Sequence, residues 1–178
     1  NHTVLTKKEK EHMSHVVDIA TTIHDLDCLR LACKELKISF KENQKKYKWW
    51  GKHEGDYALP AGFQESDLGK CEHAISVPGT AWEIGVVQAR NPDGTPKDGF
   101  TFIYDFYGEN GRQLHKYSGK DCGLILQRYA LLKAEKESKA KGLTTSRVYP
   151  KEGLISKAFK AMGIKRPGPG DIKLIIEG

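Results

Sequence analysis

Residues 16–23 read VVDIATTI, residues 25–36 read DLDCLRLACKEL and residues 38–50 read ISFKENQKKYKWW. The first run is rich in β-branched side chains that alternate, the signature of a strand. In the second, Asp25 stands where a helix N-cap is wanted, and Leu26, Leu29, Ala32, Cys33 and Leu36 recur at helical spacing. The third returns to strand character. These three stretches predict a β-α-β start.

Working outward, residues 51–72 hold Gly51, Gly55, Pro60, Gly62 and Gly69 among few β-branched residues. This composition predicts a long ordered loop with a turn of helix near 65–68. Long irregular loops inside compact domains are uncommon and often functional. Strands are expected at 73–77, 82–90 and 100–107. The turn residues Pro92, Asp93 and Gly94 join the last two as a hairpin.

Ser118 and Asp121 have capping-box spacing ahead of a long helix over about 121–141, closed by Gly142, whose Lys- and Glu-rich far end is expected to project into water. A short helix is expected over 153–162, then an extended KRPGPG stretch, because Pro167 and Pro169 cannot continue a helix. An apolar strand over 172–176 follows. Together these elements predict an α+β fold, a ferredoxin-like sheet with helices on one face, a long loop insertion and a C-terminal extension. Residues 13–142 form the expected core domain and 143–178 the extension. Residues 1–12, polar and lacking spaced apolar positions, are expected to be a mobile N-terminal arm or a cloning remnant ahead of Met13.

The 178 residues suit one well-filled core. No run approaches the roughly 18 apolar residues of a membrane span, so the expected location is cytoplasmic and no membrane partner is expected. The four cysteines, Cys28, Cys33, Cys71 and Cys122, show no disulfide framework and are read as thiols. The formal charge of +6 favours anionic partners.

The most suggestive feature is Lys45-Lys46-Tyr47-Lys48-Trp49-Trp50, three lysines interleaved with three aromatics. In an extended segment Lys46, Lys48 and Trp50 share one face while Lys45, Tyr47 and Trp49 share the other. An exposed indole between ammonium groups would stack a base while the lysines meet phosphates. The bland alternative buries the aromatics and leaves the lysines solvated. The candidate ligand-binding set is therefore Lys46, Lys48 and Trp50, with Lys52, Lys70, Lys120 and Arg166 as electrostatic support.

Other features are weaker. Lys120 precedes the long helix, whose free amides attract anions, yet no Walker A glycine stands upstream. Lys157, Lys160, Lys165 and Arg166 form a second basic cluster. Cys71-Glu72-His73 supplies two metal ligands without the second pair that a structural zinc site shows, so neither a metal site nor a cofactor is assigned. His53, Asp56, His73, Asp105 and His115 are the acid–base candidates, but no catalytic signature joins them and no catalytic residue is assigned.

The runs Met13-Ser14-His15, Asp25-Leu26, Asn43-Gln44, Gly55-Asp56-Tyr57, Asp67-Leu68-Gly69-Lys70-Cys71, His73-Ala74-Ile75, Glu83-Ile84-Gly85-Val86-Val87 and Asp105-Phe106-Tyr107-Gly108 resemble, in this order, the hypothetical chloroplast reading-frame (Ycf) family. Its members are small proteins of algal plastids, cyanobacteria, other bacteria and some phages. The resemblance covers about residues 13–129 and implies a small soluble domain of bacterial or phage source. The family has no established activity, so it transfers no site residues, and the C-terminal third departs from its simpler ending.

The expected function is thus a non-enzymatic protein that binds nucleic acid or a phosphorylated nucleotide through a basic, aromatic-containing strand face. The alternatives are an oligomerising interaction module that modulates a partner protein, and a small enzyme using the 51–73 loop, for which His53, Asp56 and His73 would have to meet.

Overall fold

A computed structural model describes residues 16–18, 22–55, 57–149, 161 and 172–178. The expected N-terminal arm, the 153–162 helix apart from Ala161, the KRPGPG stretch, Asp56 and Arg166 lie outside the described residues.

Strands β1 (Val16–Asp18), β2 (Ser39–Lys41), β3 (His73–Ser76), β4 (Glu83–Arg90) and β5 (Pro96–Asp105) form one antiparallel sheet in the order β1-β5-β4-β3-β2. Helix α1 (Leu26–Glu35) links the two edge strands, crossing three intervening strands. The α+β class is as expected, but the strand order is not ferredoxin-like. A split β-α-β would seat β1 inside the sheet. Here β2 to β5 run as an uninterrupted meander, so each of these strands pairs with its sequence neighbour and β1 joins the sheet at the β5 edge.

Asp25 starts α1: its Oδ1 accepts from the Cys28 amide at 3.0 Å. Cys28, Leu29, Ala32 and Cys33 form its buried face. The helix stops with Lys37 in the left-handed region (φ 57°) while the Ile38 and Lys37 amides donate to the Cys33 and Lys34 carbonyls, the paired bonds of a Schellman ending. The β4–β5 hairpin forms where expected, with Gly94 N donating to the Asn91 carbonyl at 2.8 Å.

Residues 108–118 form a helix that the sequence reading missed, α2 (Gly108–Ser118), and a 3-10 turn (Lys120–Cys122) separates it from α3 (Gly123–Ala140). The expected capping box is absent. Ser118 ends α2 instead of starting α3, and its hydroxyl donates back to the Leu114 carbonyl at 2.9 Å. Nor do the last turns of α3 simply project into water. Ser138 is buried, and Arg147 of β6 (Thr144–Val148) pairs with Glu135 of α3. β6 pairs with β7 (Lys173–Glu177) in a separate two-stranded sheet.

The main sheet buries apolar side chains on both faces. Ile75, Ile84, Val86, Phe102 and Tyr104 meet Leu29, Ala32, Leu114 and Ile125 of the helices. On the other face Ala74, Val87 and Ile103 meet Tyr47, Leu68 and Cys71 from the connection between β2 and β3. All four thiols are buried, and burial pushes Cys28 up to about 11 and Cys33 and Cys71 up to about 12.

Polar ties join α1 to α3. Lys136 donates to Asp25 Oδ2 at 2.6 Å, and the Tyr129 hydroxyl accepts from the His24 and Asp25 amides. The Lys136 bond and the Cys28 amide together lower the Asp25 carboxyl from 3.8 to about 2. A depressed folded-state value stabilises the fold above the unfolded-state value and loses that effect as pH falls through the folded one. Asp25→Asn should therefore lose stability relative to the parent at pH 5, and the difference should shrink between about pH 4 and about pH 2, as read by urea midpoints. Asparagine keeps the cap acceptor, so the difference reports the loss of the charge paired with Lys136.

Candidate functional site

The connection between β2 and β3 is held to the sheet by one carboxylate. Glu83, the first residue of β4, is 1% exposed. Its Oε1 accepts from Lys41 Nζ at 2.6 Å, and its Oε2 from Gln44 Nε2 at 2.8 Å and the Lys48 amide at 2.9 Å. The Glu83 amide in turn donates to the Lys48 carbonyl at 2.7 Å. A buried carboxylate needs such donors to offset its desolvation.

On its other side the same segment pairs with residues 69–71. Tyr47 N donates to the Gly69 carbonyl and Cys71 N to the Lys45 carbonyl, each at 3.0 Å, around a bridge between Lys46 and Lys70. These bonds flank the bridge, so Lys46 and Lys70 form a non-hydrogen-bonded pair, the closer of the two antiparallel pairings. Two like charges directly opposite one another are unfavourable.

Extended geometry then sets the alternation. Tyr47 turns inward and lies on Gly85 of β4, where an added Cβ would stand 2.5 Å from its ring. Trp49, half-buried, lies on Gly69 in the same manner, at 2.7 Å. Lys46 and Lys48 turn outward, and Trp50, just past a bend at Trp49, is 40% exposed. Lys70 is also exposed. Neither Lys46 nor Lys48 makes an ion pair among the described residues, whereas Lys70 feels the charge of Asp67.

The expected division of faces thus holds around Tyr47, although Lys45 is exposed rather than inward. The expected continuous strand does not. β2 ends at Lys41, and Asn43 takes a left-handed turn (φ 57°), so the basic run is a loop segment clamped between Glu83 and residues 69–71.

The supporting lysines scatter. Lys70 sits opposite Lys46. Lys52, beyond the left-handed Gly51, pairs with Glu54 at 3.0 Å. Lys120 lies in the turn before α3, whose side chains pack on the opposite face of the sheet. The second half of the loop is closed by Arg90, which forks onto Asp67 at 2.8 and 3.2 Å and lies 4.6 Å from the Phe63 ring centre.

The acid–base candidates do not gather either. His73 is buried between Phe40 and Phe100, its Nδ1 accepting from the Asn43 amide at 3.0 Å. Burial lowers its pKa, so it is a neutral structural imidazole. His115 is hydrogen-bonded to Tyr104 Oη at 2.9 Å and stacks on Phe106, on the helical side. Asp105 is fully buried and accepts from the Tyr107 amide. Cys71 donates to the Gln44 carbonyl on the loop side, turned away from His73, and no group of three metal-ligating side chains occurs among the described residues.

Sequence reasoning missed Glu83, though its signal was present: a lone carboxylate opening an otherwise apolar strand must find donors. Comparison with family models, with curated proteins and with solved structures gave no match. The geometry therefore carries the functional reading alone.

Removing the clamp should release the segment. Glu83→Ala should cost about 3–5 kcal/mol, measured by denaturant unfolding, and trypsin should cut after Lys45, Lys46 or Lys48 in the variant far faster than in the parent.

Proposed function

We propose that this chain is a non-enzymatic binding protein for single-stranded nucleic acid, and that Lys46, Lys48 and Lys70 meet the phosphates while Trp50 stacks a base. The observation that carries the reading is the Lys46–Lys70 bridge. A fold that places two ammonium groups side by side, with no carboxylate paired to Lys46 among the described residues, gains when a polyanion neutralises them.

Trp50 is exposed beside this pair, while Tyr47 and Trp49 are turned inward and fix the backbone that presents it. This is the combination of cationic track and aromatic platform that single strands use. Lys52 and Lys120 are not part of the face: one is paired with Glu54 and the other belongs to the helical layer.

A second reading rests on a different observation. Val148, Ile175 and Ile176 expose apolar surface on the β6–β7 ribbon, and an exposed two-stranded ribbon is suited to pairing with a protein partner or a second copy. Light scattering separates the two readings, since self-association through the ribbon is lost in Ile176→Lys and leaves nucleic-acid affinity unchanged. The family resemblance adds no activity to either.

Fluorescence anisotropy with short labelled RNA and DNA strands tests the main reading. Affinity should fall with added salt, with a log–log slope of about −2 for three phosphates neutralised. Lys46→Gln with Lys70→Gln should flatten that slope. Trp50→Ala should weaken binding by about 1–3 kcal/mol and leave the slope unchanged. No salt-sensitive binding at micromolar protein would overturn the proposal.

A further inference from the structure

A second cationic site, on the helical side of the molecule, was not apparent in the sequence. Between the end of α1 and β6 lies an open groove of about 450 Å³, lined by Leu31, Lys34, Glu35, Lys37, Arg128, Arg147 and Tyr149. Its charges are assembled from three elements far apart in sequence, which is why no local motif announces it.

The floor is an ion-pair network. Arg128, its side chain only 4% exposed, donates to Glu35 Oε2 at 2.6 Å. Arg147 donates to both oxygens of Glu35, at 2.9 and 3.2 Å, and its Nε and Nη2 reach Glu135 at 2.5 and 2.7 Å. Burial disfavours the Glu35 charge, but the Arg147 and Arg128 bonds outweigh it and keep the carboxyl below its ordinary value.

The two carboxylates offset the two guanidinium groups. Lys34 and Lys37 remain, both exposed at the rim and neither in an ion pair with a carboxylate among the described residues. The groove therefore carries about two positive charges in excess over a floor of fixed guanidinium groups. Leu31, half-exposed, forms an apolar edge, and Tyr149, hydrogen-bonded to Arg147, lies beside it. A compact dianion at the lysine rim, attached to a flat or apolar group that covers Leu31, matches this arrangement.

We propose that this groove is a binding site for a phosphate monoester, with Lys34 and Lys37 neutralising the phosphate above the Arg128–Glu35–Arg147 floor. The site is independent of the Lys46–Lys70 face, which lies on the other side of the sheet.

Calorimetric titration of the full chain with inorganic phosphate and with adenosine monophosphate, against chloride at matched ionic strength, tests it. Phosphate should bind, and Lys34→Gln with Lys37→Gln should weaken it at least tenfold, whereas Lys97→Gln, an exposed lysine outside the groove, should leave it unchanged. Leu31→Glu, which sets a carboxylate at the groove edge without touching the floor, should weaken it similarly. Tighter binding of the monophosphate than of phosphate would assign a role to the apolar edge, and equal binding would place all recognition in the phosphate. Heats no different from chloride, or equal affinity in the parent and the Lys34/Lys37 variant, would overturn the proposal.

Discussion

The carboxylate of Glu83 is the constraint on which the rest of the loop side depends. Placed at the start of a buried strand, it would be costly without donors, and the chain supplies three from residues 41–48. Satisfying it draws the segment after β2 down onto the sheet. Once the Lys48 backbone is fixed, the pairing with residues 69–71 follows, and extended geometry decides which side chains face in. The exposure of Lys46 and Lys48 is thus a consequence of a buried charge that holds the Lys48 backbone from 35 positions away along the chain.

Glycine at two positions completes that arrangement. Gly85 and Gly69 leave room for the Tyr47 and Trp49 rings to lie against backbone. Aromatic residues that elsewhere would be candidates for base stacking are here the wedge between loop and sheet, and one indole remains outside. The helical side is organised by different means: an apolar core, a capped α1, and Arg–Glu pairs that link α1, α3 and β6. Each face of the sheet consequently carries its own layer and its own cationic surface.

The sequence made the local parts of this structure legible. Asp25 and the apolar spacing after it defined α1, Pro92-Asp93-Gly94 defined the hairpin, and the glycine-rich stretch after residue 51 defined an ordered loop with one 3-10 turn, Glu65–Asp67. What it hid was long-range. Strand order depends on which edge β1 joins, and no local pattern states that. α2 carries Gly108 and Gly111, residues of low helix propensity that weaken its local signal, although Gly111 is required by its close approach to Phe106. The lysine–aromatic alternation was read correctly in its facing around Tyr47 but wrongly as a strand, since Asn43 breaks it and only the Glu83 and Gly69 contacts restore extension.

Lys46, Lys48, Lys70 and Trp50 are proposed to form one accessible surface for a polyanion. Its most direct test is tryptophan emission during addition of an unlabelled oligothymidylate at low salt, compared between the parent and Trp50→Phe. Quenching that salt reverses is expected in the parent and should be largely absent in the variant. Equal quenching in both, or none in either, would contradict it.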